Sequence, residues 1–136
     1  MGEYEDTLRD IEKNLGMVPG FVKNVPEDTV VQHWPLFKKY TLGESKIPAK
    51  YRELMGLAVA ANAKCPYCQL FHKTAAKLRG ATDEELAETG FLASYFAAWG
   101  DIMHAQDYDY DTFSRELQQI TEHLRKEPLL RRVVIR

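Results

Sequence analysis

The sequence predicts an all-α protein, and three observations lead to this fold class. Apolar residues recur every three or four positions through most of the chain, which is the period of a helix that buries one face. Glycine and proline stand where these runs begin or end. A strand pattern of useful length occurs only at 133–135. A length of 136 residues suits one hydrophobic core, so we expect a single helical domain over residues 1–136.

Two helices are predicted in the N-terminal third of the chain. The first covers residues 4–15, where apolar residues are spaced for one face. A short helical or irregular piece is expected at 21–25, before a second helix over 27–42. Pro35 lies inside this second stretch and predicts a kink or a split near Trp34.

The middle of the chain is predicted to hold two more helices. The first begins at Pro48 and continues to residue 62. Within it, the run 54–61 is apolar on every side, which predicts burial on all sides. After a short break, the next helix begins at Cys65 and continues to residue 78 or 79.

The last third is predicted to hold another pair of helices. Thr82 and Glu85 have the spacing of a capping box, with threonine as the N-cap and glutamate three residues later. The helix that they open is expected to pause at Gly90 and to continue through Trp99. An acidic, tyrosine-rich connection then leads to a final amphipathic helix over 112–124.

The segments 54–61 and 91–99 are apolar on most or all faces. A chain of 136 residues cannot easily bury two such helices by itself. We therefore expect the protein to form oligomers, with part of this apolar surface at the interface between subunits.

Composition and charge exclude several classes of function. The net charge of −2 provides no overall basic field that would attract nucleic acid or an anionic membrane. No apolar run approaches the roughly 20 residues that span a bilayer, and the acidic start of the chain lacks the features of a signal peptide. We expect a cytoplasmic protein in a reducing compartment, where a Cys-x-x-Cys pair is more often catalytic or metal-binding than structural.

The most informative motif is Cys-Pro-Tyr-Cys at 65–68, which contains the only two cysteines of the chain. His72 follows Cys68 by four residues, and Glu53 precedes Cys65 by twelve. The spacing places both cysteines and the histidine on one face of a helix. A thiol pair beside a base and a carboxylate is suited to redox chemistry at sulfur.

Helix electrostatics favours Cys65 as the more acidic thiol. Pro66 suits the first helical position, which makes Cys65 the predicted N-cap. The partial positive charge there stabilises a thiolate and can lower a cysteine pKa from about 8.5 toward roughly 3.5–7.5. His72 lies one turn from Cys68 and can take its proton, while Glu53 can orient the ring. Once one thiol is oxidised to sulfenic acid, the other can resolve it as a disulfide.

The Cys-x-x-Cys motif also occurs in zinc sites and in glutaredoxins. The two cysteines, His72 and Glu53 could supply four zinc ligands, but structural zinc sites usually draw ligand pairs from separate loops. No second pair exists in this chain. The same tetrapeptide occurs in glutaredoxins, which need a β-strand just before it. Residues 49–63 are rich in alanine and leucine and predict a helix instead, so the thioredoxin fold is rejected.

The chain resembles the AhpD-like (alkylhydroperoxidase) branch of the carboxymuconolactone decarboxylase family over residues 30–105. The resemblance rests on Glu53, the Cys-x-x-Cys pair and His72, set within Arg52-Glu53-Leu54, Ala60-Ala61, Lys73 and Ala75-Ala76. It implies an all-α helical bundle that assembles as a homotrimer or homohexamer. It also implies a thiol-dependent peroxidase or disulfide oxidoreductase. A hydroperoxide would oxidise Cys68, Cys65 would resolve the product, His72 would be the base and Glu53 its partner in a proton relay.

One position departs from the family pattern, because the family has a histidine where this chain has Tyr67. A phenol has a pKa near ~10, so Tyr67 is a candidate relay through hydrogen bonds but a poor base. The resemblance implies no tightly bound cofactor and no metal. Its expected partners are a small hydroperoxide and an external dithiol reductant of the dihydrolipoamide type. Two alternatives stay open, a non-enzymatic redox-sensing or binding subunit and a decarboxylase-like enzyme that acts on a lactone.

Overall fold

The computed structural model describes residues 2–127, and in this part of the chain it contains helices and no β-strand. The strand pattern at 133–135 lies outside the described residues. A 3-10 helix (Gly20–Asn24) and a π-helix (Lys38–Leu42) flank the second α-helix. The all-α fold class is confirmed. In chain order the α-helices are α1 (Glu3–Leu15), α2 (Glu27–Phe37), α3 (Ala49–Ala63), α4 (Pro66–Leu78), α5 (Asp83–Ala105) and α6 (Tyr110–Lys126).

The described chain separates into two compact units, with the boundary inside α5. The first unit extends to Ala93, and the second begins at Ser94. All of the site residues predicted from the sequence lie in the first unit. The prediction of one domain over residues 1–136 stays a prediction.

The core of the first unit contains residues of α1 and α2. Ile11, Val30 and Trp34 are buried and pack together, with partly buried residues of both helices and of the 3-10 helix around them. Asp10 joins the two helices, because its Oδ2 accepts hydrogen bonds from Trp34 Nε1 at 2.7 Å and from Lys38 Nζ at 2.5 Å. The Trp34 indole is therefore buried with its N–H satisfied, as buried indoles usually are.

Local signals set helix ends where the sequence predicts them. Gly16 ends α1 in the left-handed conformation, with φ at 81°, and donates its N–H to Glu12 O. Before α5, Thr82 Oγ1 accepts the Glu85 N–H at 3.0 Å, and Glu85 Oε1 accepts the Thr82 N–H at 3.1 Å. The predicted capping box is thereby confirmed.

The helix that contains Pro35 does not split near Trp34. α2 continues through Pro35 to Phe37, and the chain then changes to the π-helix, where the Gly43 N–H donates to Lys38 O at 2.7 Å. Proline removes one N–H from a helix interior, but the buried Trp34 indole holds this turn against α1. The hydrogen-bonding pattern therefore changes only after the buried segment.

Two arginines hold the end of the π-helix. Arg52 of α3 donates to Gly43 O at 2.5 Å and to Ser45 Oγ at 2.6 Å. Arg79, which follows α4, donates to Leu42 O at 2.8 Å. Cationic donors suit the carbonyl groups that a helix leaves unpaired at its C-terminal end. These contacts join the π-helix to the chain on both sides of the predicted site.

The predicted pause at Gly90 is not found, because α5 continues through it without interruption. A single glycine lowers helix propensity by about 1 kcal/mol relative to alanine, but it keeps its backbone N–H and C=O. α6 begins at Tyr110, two residues before the predicted start. The reason is a side-chain cap, since Asp109 Oδ2 accepts the Thr112 N–H at 2.8 Å.

The prediction that 54–61 is buried on all sides is wrong for this chain. α3 buries one face, which includes Leu57 and Ala60, whereas Met55 and Val59 are more than half exposed. The reason is that α4 is the main neighbour of α3 and covers only one of its sides.

The apolar segment 91–99 of α5 is also partly exposed. Phe96 and Trp99 are more than half exposed in the second unit. Within residues 2–127, no helix is both long enough and apolar enough to cross a membrane.

We expect Asp10→Asn to lower the stability of the protein in a pH-dependent way. Hydrogen bonds from Lys38 and Trp34 hold the pKa of the Asp10 carboxyl below its ordinary value of 3.8. Such a group contributes stability above pH 3.8, and this contribution is lost as the pH falls through the folded pKa. The difference in free energy of unfolding between wild type and Asp10→Asn should therefore shrink below that pH. Urea denaturation at a series of pH values measures it.

Asp101→Asn is the matched control, because Asp101 is exposed in α5. It should change the free energy of unfolding little at any of these pH values. An Asp10→Asn difference that stays constant down to about pH 3 would contradict the assigned ionic contact.

Candidate active site

A two-residue turn between α3 and α4 brings the predicted site residues together. Lys64 ends α3 in the left-handed conformation, with φ at 55°, and the Cys65 N–H donates to Ala60 O at 3.1 Å. α4 then packs along α3, so that the two helices form a helical hairpin. Ala60 of α3 and Ala76 of α4 are buried, and such small side chains permit a close approach of the helix axes.

Cys65 is the N-cap of α4, as the sequence predicts. Its backbone is extended, Pro66 occupies the first helical position, and Cys65 Sγ accepts the Cys68 N–H at 3.2 Å. The Cys65 sulfur therefore lies at the positive end of the helix dipole. It accepts a hydrogen bond from one of the N–H groups that the helix leaves unpaired.

Cys65 and Cys68 form a disulfide bond, and their Cα atoms lie 5.3 Å apart. Both residues are half-buried. Because the bond lies within the first turn of α4, it joins no second helix. Its formation and reduction are therefore local events at the start of one helix.

Glu53 and His72 form an acid–base pair between α3 and α4. Glu53 Oε2 lies 2.7 Å from His72 Nδ1. Glu53 is only 3% exposed, and it is the buried charged residue of the described chain. A buried carboxylate is costly without a hydrogen-bonding partner, and His72 provides that partner. The structure thus brings these two predicted residues into contact, while their catalytic roles stay predictions.

The contact decides which ring nitrogen of His72 is free. An ionised carboxylate can only accept hydrogen bonds, so Nδ1 is the nitrogen that carries the proton in this pair. In a neutral imidazole the other nitrogen, Nε2, is then the acceptor. The His72 side chain is 28% exposed, so protons can be exchanged with the surroundings. His72 follows Cys68 by one helical turn on the same face of α4.

Two neighbours of His72 were not predicted from the sequence. The Phe71 ring contacts the His72 ring edge-on, with centroids 5.2 Å apart. Gly56 of α3 lies against the same imidazole, and a Cβ atom at this position would overlap the ring. A glycine inside a predicted helix is a signal of close packing. An aromatic residue on a helix fits ordinary core packing equally well and provides no such signal.

An apolar cavity of about 440 Å³ lies in the first unit, between α1, the 3-10 helix and α2. This volume is within the range of roughly 300–1,000 Å³ that small-molecule sites occupy. Phe71 lines the cavity and also contacts His72, so it connects the cavity to the acid–base pair. Other lining residues include Ile11, Val22, Val30, Trp34 and Phe37.

Tyr67 is 85% exposed, and no hydrogen bond within the described residues joins it to Glu53 or His72. Its role as a relay stays a prediction. Among residues 2–127, no three His, Cys, Asp or Glu side chains are grouped so that they could hold a metal ion.

Comparison with known proteins places this hairpin in a family. The structure is similar to the crystal structure of the alkylhydroperoxidase AhpD core from Rhodospirillum rubrum, with a TM-score of 0.68 and 24% sequence identity. The match covers 81% of this chain and 84% of that chain, and it concerns the fold. A search of curated proteins found no significant match. Residues 29–108 match the carboxymuconolactone decarboxylase family, and the chain therefore belongs to that family, with the AhpD-like fold.

Proposed function

We propose that the protein is a thiol-dependent peroxidase, which reduces small organic hydroperoxides by oxidation of Cys65 and Cys68 to a disulfide. The observation that carries this proposal is the presence of the cysteine pair and of the buried Glu53–His72 pair on one helical hairpin. Membership of the family, and the likeness in fold to an alkylhydroperoxidase core, support it.

The first step is attack of the Cys68 thiolate on the hydroperoxide. His72 Nε2 accepts the thiol proton, and the thiolate forms an S–O bond as the O–O bond breaks. The leaving alkoxide takes the proton from the imidazolium, so the hydroperoxide becomes an alcohol and Cys68 becomes a sulfenic acid. Glu53 accepts the hydrogen bond from Nδ1 and stabilises the positive charge of the ring while both nitrogens are protonated.

The second step is attack of Cys65 on the sulfenic sulfur of Cys68. The S–S bond forms, the S–O bond breaks, and the hydroxyl group leaves with the Cys65 proton as water. The two cysteines have together lost two electrons and two protons, which the hydroperoxide has taken up. An external dithiol of the dihydrolipoamide type then restores both thiols by exchange through a mixed disulfide, and it is oxidised to a disulfide itself.

Helix electrostatics and the position of His72 favour different cysteines as the thiol that attacks the hydroperoxide. The N-cap position and the hydrogen bond from the Cys68 N–H favour a thiolate on Cys65. The base one turn away favours Cys68, and the family resemblance agrees. We assign the first attack to Cys68, because each turnover needs a base that removes a proton. Stabilisation of the Cys65 thiolate then serves the second step, in which Cys65 must be the nucleophile.

The apolar cavity supports an organic hydroperoxide as the substrate. Its walls are almost entirely apolar, so they favour an uncharged alkyl or aromatic group. Phe71 forms part of the wall and touches His72, which would bring such a group toward the base.

We further propose that the protein acts in a reducing cytosol, where dithiol donors are maintained. A homotrimer or homohexamer would cover the exposed apolar side chains of α3 and α5. Met55 and Val59 of α3, with Phe96 of α5, support this assembly because each is more than half exposed.

Reduced protein should lose both titratable thiols when it is treated with one equivalent of cumene hydroperoxide. Because both sulfurs lie in one helical turn, the expected product is an intramolecular disulfide, with a mass loss of about 2 Da and no covalent dimer. Thiol titration and intact-mass spectrometry measure this. With dihydrolipoamide present, the protein should consume the hydroperoxide catalytically.

The double variant Cys65→Ser/Cys68→Ser is the control and should consume no peroxide. Two thiols that are still free after excess peroxide would remove the proposed function. A disulfide that forms but does not turn over with any dithiol would favour the redox-sensing alternative.

Variants at the four site residues should separate their roles. Cys65→Ser should accumulate a sulfenic acid on Cys68 after one equivalent of peroxide, whereas Cys68→Ser should react far more slowly. His72→Ala should raise the pKa of Cys68 and slow its oxidation by on the order of 10²-fold, because the base is lost. Glu53→Gln should raise this pKa and slow the oxidation less strongly, since Glu53 acts only through the imidazole. Thiol labelling as a function of pH measures all four variants. Cys65 could instead react with peroxide faster than Cys68, and His72→Ala could leave the pKa values of both thiols unchanged. These two results together would mean that the helix N-terminus governs reactivity and that the assignment of Cys68 is wrong.

Purified protein should be a stable homotrimer or homohexamer at micromolar concentration. The physical reason is the set of exposed apolar side chains on α3 and α5, which an interface between subunits would remove from water. Multi-angle light scattering after size exclusion measures the mass. A monomer under these conditions would rule out this assembly.

A further inference from the structure

Gly56 occupies a position where its own backbone gives no reason for glycine. It lies in the interior of α3, one turn after Glu53, and its φ is not positive. Glycine is less favourable than alanine inside a helix, because it loses more conformational freedom on folding. A reason for glycine at this position must therefore come from the space around it.

That space is filled by the imidazole of His72. A Cβ atom on Gly56 would lie within 2.7 Å of His72 Cγ and closer still to Nδ1 and Cε1. Carbon atoms in contact prefer separations of about 3.5–4.0 Å, so the ring would have to move by on the order of 1 Å. Gly90 offers a contrast, because it also lies inside a helix and a Cβ there would meet nothing within 4 Å.

A movement of this size would break the acid–base pair. Nδ1 is one of the two ring atoms that would lie nearest to the added Cβ. It is also the atom that lies 2.7 Å from Glu53 Oε2. A donor and acceptor separated by more than about 3.5 Å no longer form a hydrogen bond. Glu53 and Gly56 lie on the same face of α3, so one helical turn supplies both the acceptor for Nδ1 and the room for the ring.

We propose that Gly56 is a positioning residue of the active site. The absence of a side chain at Gly56 seats the His72 ring against the backbone of α3, where Nδ1 bonds to Glu53 and Nε2 is left as the proton acceptor. The catalytic consequence rests on the proposed peroxidase function, whereas the structural consequence does not. Gly56→Ala should therefore act through His72, although alanine is the better helix former.

A thermodynamic cycle tests this dependence on His72. Gly56→Ala is compared in the wild-type chain and in a His72→Ala background, with Gly90→Ala as the matched control for helix propensity. Gly56→Ala should lower the Tm by several degrees in the wild-type chain, because it displaces His72 and leaves the Glu53 carboxylate without its partner. In the His72→Ala background it should leave the Tm unchanged or raise it, as should Gly90→Ala in the wild-type chain.

An equal fall in Tm in both backgrounds would overturn the proposal. If Gly56→Ala does not fold at all, the double variant decides the matter. Folding of Gly56→Ala/His72→Ala would support a clash with the imidazole, and failure of this double variant to fold would overturn it.

Two further measurements report on the ring itself. In ¹⁵N-detected histidine spectra of the reduced protein, the wild type and Gly90→Ala should show His72 with its proton on Nδ1, and Gly56→Ala should lose this tautomer preference. The rate at which iodoacetamide alkylates the Cys68 thiol near neutral pH should fall in Gly56→Ala, by up to about 30-fold, because a cysteine of ordinary pKa near 8.5 is only about 3% thiolate at pH 7. An unchanged His72 spectrum would overturn the proposal. Absence of peroxide turnover in the wild type would instead remove the proposed function and leave the Tm cycle and the spectra to decide the role of Gly56.

Discussion

The hydrogen bond between the buried Glu53 carboxylate and His72 Nδ1 is the interaction on which the site depends. A carboxylate that is almost fully buried is costly unless a donor lies within reach. α3 supplies the acid and α4 supplies the base, so their pairing requires the two helices to pack closely. The small residues Ala60 and Ala76 permit this approach along the same hairpin. The close packing of the hairpin and the pairing of its acid and base therefore depend on each other.

A series of aromatic contacts connects this pair to the core of the first unit. The Trp34 and Phe37 rings are stacked with centroids 5.5 Å apart, and Phe37 lies 6.2 Å from Phe71, which contacts His72. Asp10 holds Trp34 and precedes the family match at 29–108. The N-terminal segment therefore supports the imidazole from the side of α4 that faces the apolar cavity. A change in packing around Trp34 can reach the His72 ring through these contacts, without any contact with the cysteines.

The sequence by itself determined the local features of the site and of the helix ends. The capping box of Thr82 and Glu85 and the N-cap at Cys65 involve groups within three residues of each other, so a short pattern is sufficient to predict them. The shared face of the two cysteines and His72 follows from the helical period alone. The family resemblance at 30–105 rests on the same short-range pattern and agrees with the match at 29–108.

Only the tertiary structure decided which surfaces of the helices are covered and which side chains meet across them. Periodicity predicts that 54–61 is buried all round, but α4 covers one side of α3 and Val59 stays exposed. The continuity of α2 through Pro35 and the fit of the His72 ring against Gly56 have the same origin. Each depends on atoms of another element that are distant in sequence. The spacing of residues within a single segment carries no information about those atoms, so these features appear only once the helices are packed.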